Sequence, residues 1–129
     1  MENPDNQRPN LPKEILNNLF SIEEEFQNSV LRPIIKLQSD LIIAHTFAKI
    51  KSLNNPWDNN SLDQRRETLS NLLTKDLAFK KELIGIVVGR FSLEEHRRYC
   101  FIQQNANKRI TQIIHNRCSD IMLNSLLNN

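Results

Sequence analysis

The fold of this chain is decided by residues 92–127, which read SLEEHRRYCFIQQNANKRITQIIHNRCSDIMLNSLL. The stretch contains neither proline nor glycine, and its apolar residues recur at helical spacing. As one helix it would be roughly 50 Å long at about 1.5 Å per residue, which exceeds the width of a globule of this size. We therefore expect a long C-terminal helix that packs partly on a partner or stands in solvent.

One face of this predicted helix is apolar and the opposite face is basic, as expected for an amphipathic helix. The apolar sector comprises Tyr99, Ile102, Ala106, Ile110, Ile113, Ile114 and Ile121. The opposite side carries Arg97, Arg98, Lys108 and Arg109, together with His115. Arg117 projects from the apolar side, so we expect its guanidinium to extend to solvent or to pair with an acid such as Asp40.

Shorter helices are predicted in the rest of the chain. The first begins near residues 11–13, a second covers about 33–53 with Pro33 in its first turn, and two more cover about 61–73 and 76–88. Gly89 suits the end of the last of these. Matches to the capping box, which marks helix starts, are Ser21 with Glu24, Ser61 with Gln64, and Ser92 with Glu95.

Composition places the chain among ordinary single-domain proteins. Its 129 residues are 39% hydrophobic and 25% charged, with a net charge of +2. Residues 1–10 contain two prolines and almost no apolar side chain, so we expect a disordered tail followed by a single helical domain over 11–129. No segment alternates like a strand, which predicts an all-α antiparallel bundle of four or five helices.

The sequence also favours a reducing compartment. No apolar run approaches the roughly 18 residues of a membrane span, and the first residues lack the pattern of a secretory signal. Cys100 and Cys118 lie 18 residues apart, so on one helix they would share a face about 27 Å apart, too far for a disulfide. We expect a cytoplasmic protein without a membrane partner.

Three blocks of the chain resemble a family of small bacterial helical proteins. They are residues 26–41 (FQNSVLRPIIKLQSDL), residues 75–92 (KDLAFKKELIGIVVGRFS), and the C-terminal segments Asn107-Lys108-Arg109-Ile110 and Asn116-Arg117. Together they fall within residues 26–121. The family is uncharacterised, and its members sometimes carry an automatic "glyoxalase" label. The resemblance implies a helical architecture and a bacterial origin, and it transfers no catalytic residue.

The label implies a metal-dependent lyase, and the residues disfavour that activity. Such enzymes of the familiar kind use a β-rich fold and a metal held by His, Glu or Gln. This chain has no strand pattern and three dispersed histidines, His45, His96 and His115. A lyase therefore remains only a third hypothesis.

Arg109 and His115 supply an enzymatic alternative. Their spacing falls within the R-x(4–6)-H range of the helical HEPN family of RNA nucleases and nucleotide binders, and this resemblance implies a small all-α dimer. Ile110 departs from the pattern, because a polar residue commonly follows the arginine. At ideal helix geometry the two side chains also point about 120° apart.

Two His/Cys pairs have spacings that could hold a metal on one helix face. His96 and Cys100 are four residues apart, and His115 and Cys118 are three apart. Zinc requires about four nitrogen or sulfur ligands in a tetrahedron, so two pairs would have to meet in an antiparallel dimer. The alternative is that these are histidines and small cysteines at the boundary of the core, with no cofactor.

Two further polar groups are open to interpretation. A basic surface of Arg97, Arg98, Lys108 and Arg109 could contact phosphates of a nucleic acid, although a solvated helix face is the more common use of such a stripe. The second stripe is Arg32, Lys36 and Asp40, which predicts a polar contact between helices. Trp57 is expected to anchor the loop around it.

The balance of these observations favours a non-catalytic protein. We expect it to act through self-association, as a homodimer, or through another protein that docks on the 92–127 helix. The HEPN-like nuclease or nucleotide binder using Arg109 and His115 is the second hypothesis. No recognisable nucleophile triad, paired catalytic carboxylates or nucleotide fingerprint occurs in the sequence.

Overall fold

A computed structural model describes residues 12–124. The predicted disordered tail over 1–10 and the predicted helix end over 125–127 lie outside the described residues. Within 12–124 the chain is almost wholly helical and contains no strand. The all-α prediction is therefore confirmed, while the number and antiparallel arrangement of the helices in a bundle stay predictions.

The helices follow one another with short connections. In chain order they are α1 (Lys13–Phe26), α2 (Arg32–Leu37), α3 (Ser39–Ser52), α4 (Leu62–Ser70), α5 (Leu77–Val88), α6 (Leu93–Phe101) and α7 (Gln103–Cys118). Asn54 follows α3 with a φ of 55°, a left-handed conformation that asparagine tolerates better than most residues. A short 3-10 turn, Trp57–Asn59, lies in the loop before α4.

Wide π-helical turns extend three of these helices. They are Gln27–Leu31 after α1, Asn71–Lys75 after α4, and Ser119–Leu123 after α7. The first lets the chain pass from α1 into α2 without a loop, and it precedes Pro33 in the first turn of α2. A proline lacks the N–H of a regular helix and clashes with the preceding turn, so a widened turn just before it relieves that conflict.

Two of the three predicted capping boxes form. Ser61 accepts a hydrogen bond from the backbone of Gln64, and Ser92 accepts one from Glu95, each with the reciprocal bond present. Ser21 instead lies inside α1, which runs unbroken from Lys13 to Phe26. The capping-box match at Ser21 therefore does not mark the start of a helix. The apolar spacing continues through this residue and favours one helix.

The predicted long C-terminal helix is broken at Ile102. This residue has φ −125° and ψ 23°, and its amide bonds to the Tyr99 carbonyl rather than to the carbonyl four residues back. Tyr99 and Ile102 are both buried at this break, while Phe101 between them remains 89% exposed. The prediction of a single unbroken helix from Ser92 is therefore wrong, while a partner on this segment stays a prediction.

Helix α7 is the central helix of the fold. It contacts α2, α3, α4 and α5. Its inward residues, Ala106, Ile110, Ile114 and Cys118, are all at most 1% exposed. The apolar stripe of α7 is thus covered within the chain.

The π turn after α7 changes which residues face the core. Ile121 was assigned to the apolar sector but is 42% exposed, whereas Met122 beside it is buried. The two cysteines also do not share a face, since Cys100 is exposed and Cys118 is buried. The break at Ile102 lies between the two cysteines, and the wide turn at Ser119–Leu123 contains Ile121, so each correction follows from a local shift in the phase of a regular helix.

The polar partner of Arg117 is Ser39 rather than Asp40. The Arg117 Nε–H donates to the Ser39 Oγ at 2.6 Å, and this hydroxyl donates in turn to a backbone carbonyl of α2. Arg32, Lys36 and Asp40 lie exposed, and their side chains form no hydrogen bond or ion pair within 12–124. The predicted polar contact between helices therefore does not form through this stripe, because the chain bends between α2 and α3.

Trp57 anchors the loop before α4, as predicted. Its side chain is 7% exposed and packs edge-on against Phe47, with ring centroids 5.7 Å apart. The guanidinium of Arg65 lies 5.0 Å from the indole centroid, and its Nε–H donates to the Trp57 carbonyl at 2.8 Å. This one arginine therefore satisfies the loop backbone and covers the ring.

Candidate functional site: the groove between α1 and α7

Helix α1 leaves most of its apolar face in solvent. Four large apolar side chains on it are between 40% and 65% exposed: Ile15, Leu16, Phe20 and Ile22. Only the C-terminal end of the helix is buried, through Glu23 and Phe26. A helix of 14 residues is marginal in water by itself, so this unburied face is the least expected feature of the fold.

A groove of about 520 Å³ runs between α1 and α7. The α1 side contributes the apolar side chains of Leu16, Leu19 and Phe20. The opposite wall is polar and basic, since it consists of Asn105, Lys108, Arg109 and Gln112, with Glu23 and Gln27 completing the lining. The groove thus offers an apolar surface beside hydrogen-bonding and positively charged groups.

Glu23 is a buried carboxylate at the edge of this groove. It is 6% exposed, and its Oε2 accepts a hydrogen bond of 2.6 Å from the Asn105 side-chain amide. No cation lies within ion-pair distance of Glu23 in residues 12–124. No buried side-chain oxygen or nitrogen of that range lacks a hydrogen-bond partner, so the Glu23 Oε1, which has no partner there, reaches solvent. Glu23 is therefore a largely buried carboxylate without a cationic partner in its own chain.

The structure places the two HEPN-like residues on different sides of α7. Arg109 lines the α1–α7 groove and donates a hydrogen bond to the Gln27 side chain. His115 lies six residues further along α7 and lines neither this groove nor the one between α5 and α7. Arg109 therefore serves here as a bridge between α7 and the π turn after α1.

The predicted basic surface is divided by the break at Ile102. On α6, Arg97 pairs with Glu94 at 3.6 Å, and Arg98 pairs with Glu25 while its guanidinium lies 5.2 Å from the centroid of the Phe26 ring. Lys108 and Arg109 lie on α7 and form no ion pair within the described part of the chain. The four cations therefore do not form one continuous stripe.

A second basic groove lies between α5 and α7. It measures about 230 Å³ and is lined by Leu77, Lys80, Lys81, Ile84, Asn107, Lys108 and Thr111. The three lysines have no acidic partner between residues 12 and 124. Asn107 uses its side-chain oxygen to accept from the Tyr99 hydroxyl at 2.6 Å, which leaves its amide N–H groups available.

The two His/Cys pairs differ in exposure. The Cys100 Sγ lies 3.7 Å from the His96 Nδ1, and both residues are exposed. Cys118 is buried, and desolvation raises the pKa of its thiol to about 11 although a hydrogen bond with Thr46 opposes the shift. A metal binds thiolates, so Cys118 is poorly suited to be a ligand. No cluster of three or more potential ligands among His, Cys, Asp and Glu occurs over 12–124.

The exposed face of α1 was missing from the predicted site residues. Its signal was present in the sequence as the apolar residues Ile15, Leu16, Leu19, Phe20 and Ile22 at helical spacing. Periodicity alone predicts that such a face is covered, and does not say whether the chain or a partner covers it. The groove itself joins residues that lie 82 positions apart, as in the bond between Arg109 and Gln27.

Comparison with known proteins adds no relative, since no family model, no curated protein and no solved structure matches this chain. The resemblance to the small bacterial helical family stays a prediction. Within residues 12–124, every helix is too short or too polar to cross a bilayer. The two grooves and the exposed apolar side chains are therefore the features of this chain that bear on its function.

Proposed function

We propose that this protein is a non-catalytic, cytoplasmic helical protein that acts by self-association, and that the exposed face of α1 is its interface. The observation that carries the proposal is the set of large apolar side chains on α1 beside the α1–α7 groove. Exposed apolar clusters of this kind are characteristic of protein interfaces, whose central contacts are dominated by aromatic and aliphatic side chains. A second copy is a suitable occupant because an α1 face can bury itself against the same face of another chain.

Charge supports a second copy over an unrelated partner. Helix α1 carries four glutamates and one lysine, while the α7 wall of the groove presents Lys108 and Arg109. Glu14 and Glu24 form no ion pair over 12–124. An acidic, apolar helix entering a groove with one apolar and one basic wall is complementary to both, and such complementarity fixes orientation.

The test is sedimentation equilibrium of the wild-type chain over a wide range of concentrations, with two single variants. Phe20→Ser removes the most exposed apolar side chain of α1, and we expect it to weaken the dimer at least about tenfold. Phe101→Ser is the matched control, because Phe101 is an even more exposed phenylalanine on the predicted 92–127 segment. Equal weakening by both variants, or a greater effect of Phe101→Ser, would return the interface to that segment. A wild-type chain that stays monomeric at every concentration overturns the proposal.

The second candidate function is binding of single-stranded RNA along the α5–α7 groove. The unpaired Lys80, Lys81 and Lys108 favour it, since phosphate contacts by lysine dominate the affinity of proteins for nucleic acid. This candidate keeps the RNA ligand of the HEPN-like hypothesis and uses neither His115 nor a cleavage step.

Fluorescence anisotropy with a labelled single-stranded RNA tests this candidate. Three phosphate contacts predict a slope of about −2 for the logarithm of affinity against the logarithm of salt concentration. We expect Lys80→Glu to reduce the affinity and the slope, and Lys51→Glu, an exposed lysine away from the groove, to change neither. Binding that is absent at low salt, or that ignores Lys80→Glu, rejects this candidate.

A further inference from the structure

The spacing along α1 permits a specific register for the self-association proposed above, on which this inference rests. Lys13, Leu16, Phe20 and Glu23 are separated by three, four and three residues, which places them on one face of the helix. Leu16, Phe20 and Glu23 line the α1–α7 groove, so this is the face that borders it. A partner helix lying in the groove would meet these four positions.

The four positions are self-complementary when two copies of α1 run antiparallel. When the two-fold axis crosses this face at the level of residue 18, residues whose numbers are equally far from 18 face each other across the interface. Leu16 then faces Phe20 of the second copy, and Lys13 faces Glu23 of the second copy. By symmetry each contact occurs twice, as an isologous dimer requires.

We propose that Lys13 of a second copy is the missing cationic partner of Glu23. The Glu23 carboxylate is 6% exposed and is held by Asn105 through only one of its oxygens. Lys13 lies exposed at the start of α1 and forms no ion pair or hydrogen bond over residues 12–124. The pair would join two charged groups that form no ion pair within residues 12–124 of their own chain, and it would bracket the apolar contact between Leu16 and Phe20.

Other charged groups around the groove do not replace this pair. Lys108 and Arg109 line the same groove, but neither lies within ion-pair distance of Glu23, and Arg109 is engaged by Gln27. Glu25 is already paired with Arg98 on α6. Lys108 forms no ion pair over 12–124.

Charge reversal at the two positions tests the register. Lys13→Glu should weaken the homodimer about tenfold or more, because two carboxylates would then face each other at each end. Glu23→Lys should do the same by placing two lysines together. Lys51→Glu is the matched control, since it makes the same change at an exposed lysine outside α1 and should leave the dimer within about twofold of wild type.

A mixture of the two charge-reversed chains gives the sharper result. In a mixed dimer every Glu at position 13 faces Lys at position 23, and every Lys13 faces Glu23, so we expect the mixed dimer to exceed both homodimers. Native mass spectrometry distinguishes the three species if one variant is isotopically labelled. A mixture in statistical proportions, or a Lys13→Glu homodimer as tight as that of Lys51→Glu, overturns the register while leaving self-association intact.

Because Glu23 is buried, the folding of the Glu23→Lys variant must be checked. Glu23→Lys also removes the acceptor of the Asn105 hydrogen bond, so its circular dichroism and unfolding curve must match those of wild type before its association is interpreted. If that variant does not fold, Lys13→Glu still decides the question by itself, because it changes an exposed residue. A wild-type protein that remains monomeric throughout overturns both the register and the proposed function.

Discussion

Helices α1 and α7 carry comparable apolar stripes, but the chain covers only one of them. The inward side chains of α7 are at most 1% exposed, whereas four large apolar side chains of α1 are 40% to 65% exposed. The difference arises from position: α7 is surrounded by α2, α3, α4 and α5, while α1 contacts the body mainly through its C-terminal end. An apolar stripe therefore predicts that a face is covered, and the fold decides what covers it.

The comparison moves the expected interface from one end of the chain to the other. The sequence predicts that a protein partner binds residues 92–127, because one helix of that length would project beyond a globule of this size. The break at Ile102 shortens the helix, and the apolar stripe of α7 packs in the core. On α1, by contrast, four large apolar side chains remain exposed.

The largest expected difference between the two helices is in stability. We expect Ile114→Ala in α7 to lower the free energy of unfolding by about 2 to 5 kcal/mol, because it leaves a cavity around a fully buried side chain. Ile15→Ala in α1 should change it by no more than about 0.5 kcal/mol in the monomer. Urea denaturation at low protein concentration measures both, and equal losses would mean that the N-terminal half of α1 packs on the body.

The pH dependence of stability should come next in size. Burial raises the pKa of Cys118 from 9.0 to about 11, so the folded chain keeps this proton at a pH where the unfolded chain has lost it. The stabilising contribution is complete below pH 9.0 and is lost as the pH rises through about 11. Over that range we expect wild type to lose on the order of 2 kcal/mol more than Cys118→Ala.

The matched control for this pH effect is the exposed thiol. Cys100→Ala should keep the pH dependence of wild type, since it replaces a thiol that is exposed in the folded chain. Urea unfolding curves recorded at several alkaline pH values supply the measurement. Identical pH profiles for wild type and Cys118→Ala would show that this thiol is not buried as described.

A smaller effect should come from the polar residue on the inner side of α7. Arg117→Met removes the charge-assisted hydrogen bond to the buried Ser39 hydroxyl, and we expect a loss of about 1.5 kcal/mol in unfolding free energy. Arg66→Met is the control, because its ion pair with Asp63 is exposed and should contribute less than about 0.5 kcal/mol. A higher free energy of unfolding in Arg117→Met would indicate that the partly buried arginine destabilises the folded chain.

The smallest pair of effects separates two identical sequence motifs. Ser92→Ala removes a formed capping box at the start of α6 and should cost about 1 kcal/mol. Ser21→Ala alters the match inside α1, where no cap exists, so we expect no loss and a slight gain in helix stability. Thermal unfolding followed by circular dichroism compares them, and a loss in Ser21→Ala similar to that in Ser92→Ala would argue for a helix start at Ser21.

The helical fold was largely predictable, and the reasons are local. Serine caps followed by Gln64 and Glu95 set the starts of α4 and α6, and the asparagine-rich loop around Trp57 separates α3 from α4. The break at Ile102 has no comparable marker, since neither proline nor glycine is nearby.

The candidate site was less predictable because it is not local. Glu23 accepts a hydrogen bond from Asn105, which lies 82 positions later in the sequence, and no pattern within either segment predicts this contact. The spacing of Arg109 to His115 suggests that these two residues act together. In the structure the Arg109 side chain instead bonds to Gln27, which lies in the wide turn after α1. The sequence gives no reason to select Lys80 and Lys81. They form part of a basic groove only because the fold places Lys108 of α7 in the same groove.

The wide turns at Gln27–Leu31, Asn71–Lys75 and Ser119–Leu123 also bear on how the length of this chain can vary. Each holds more residues per turn than a regular helix, with backbone bonds that span five positions. Loss of one residue there would close the turn into an ordinary α-helix and leave the helix unbroken. Homologous chains, when aligned with this one, should therefore show single-residue gaps at these three places inside helices, where gaps are otherwise least tolerated.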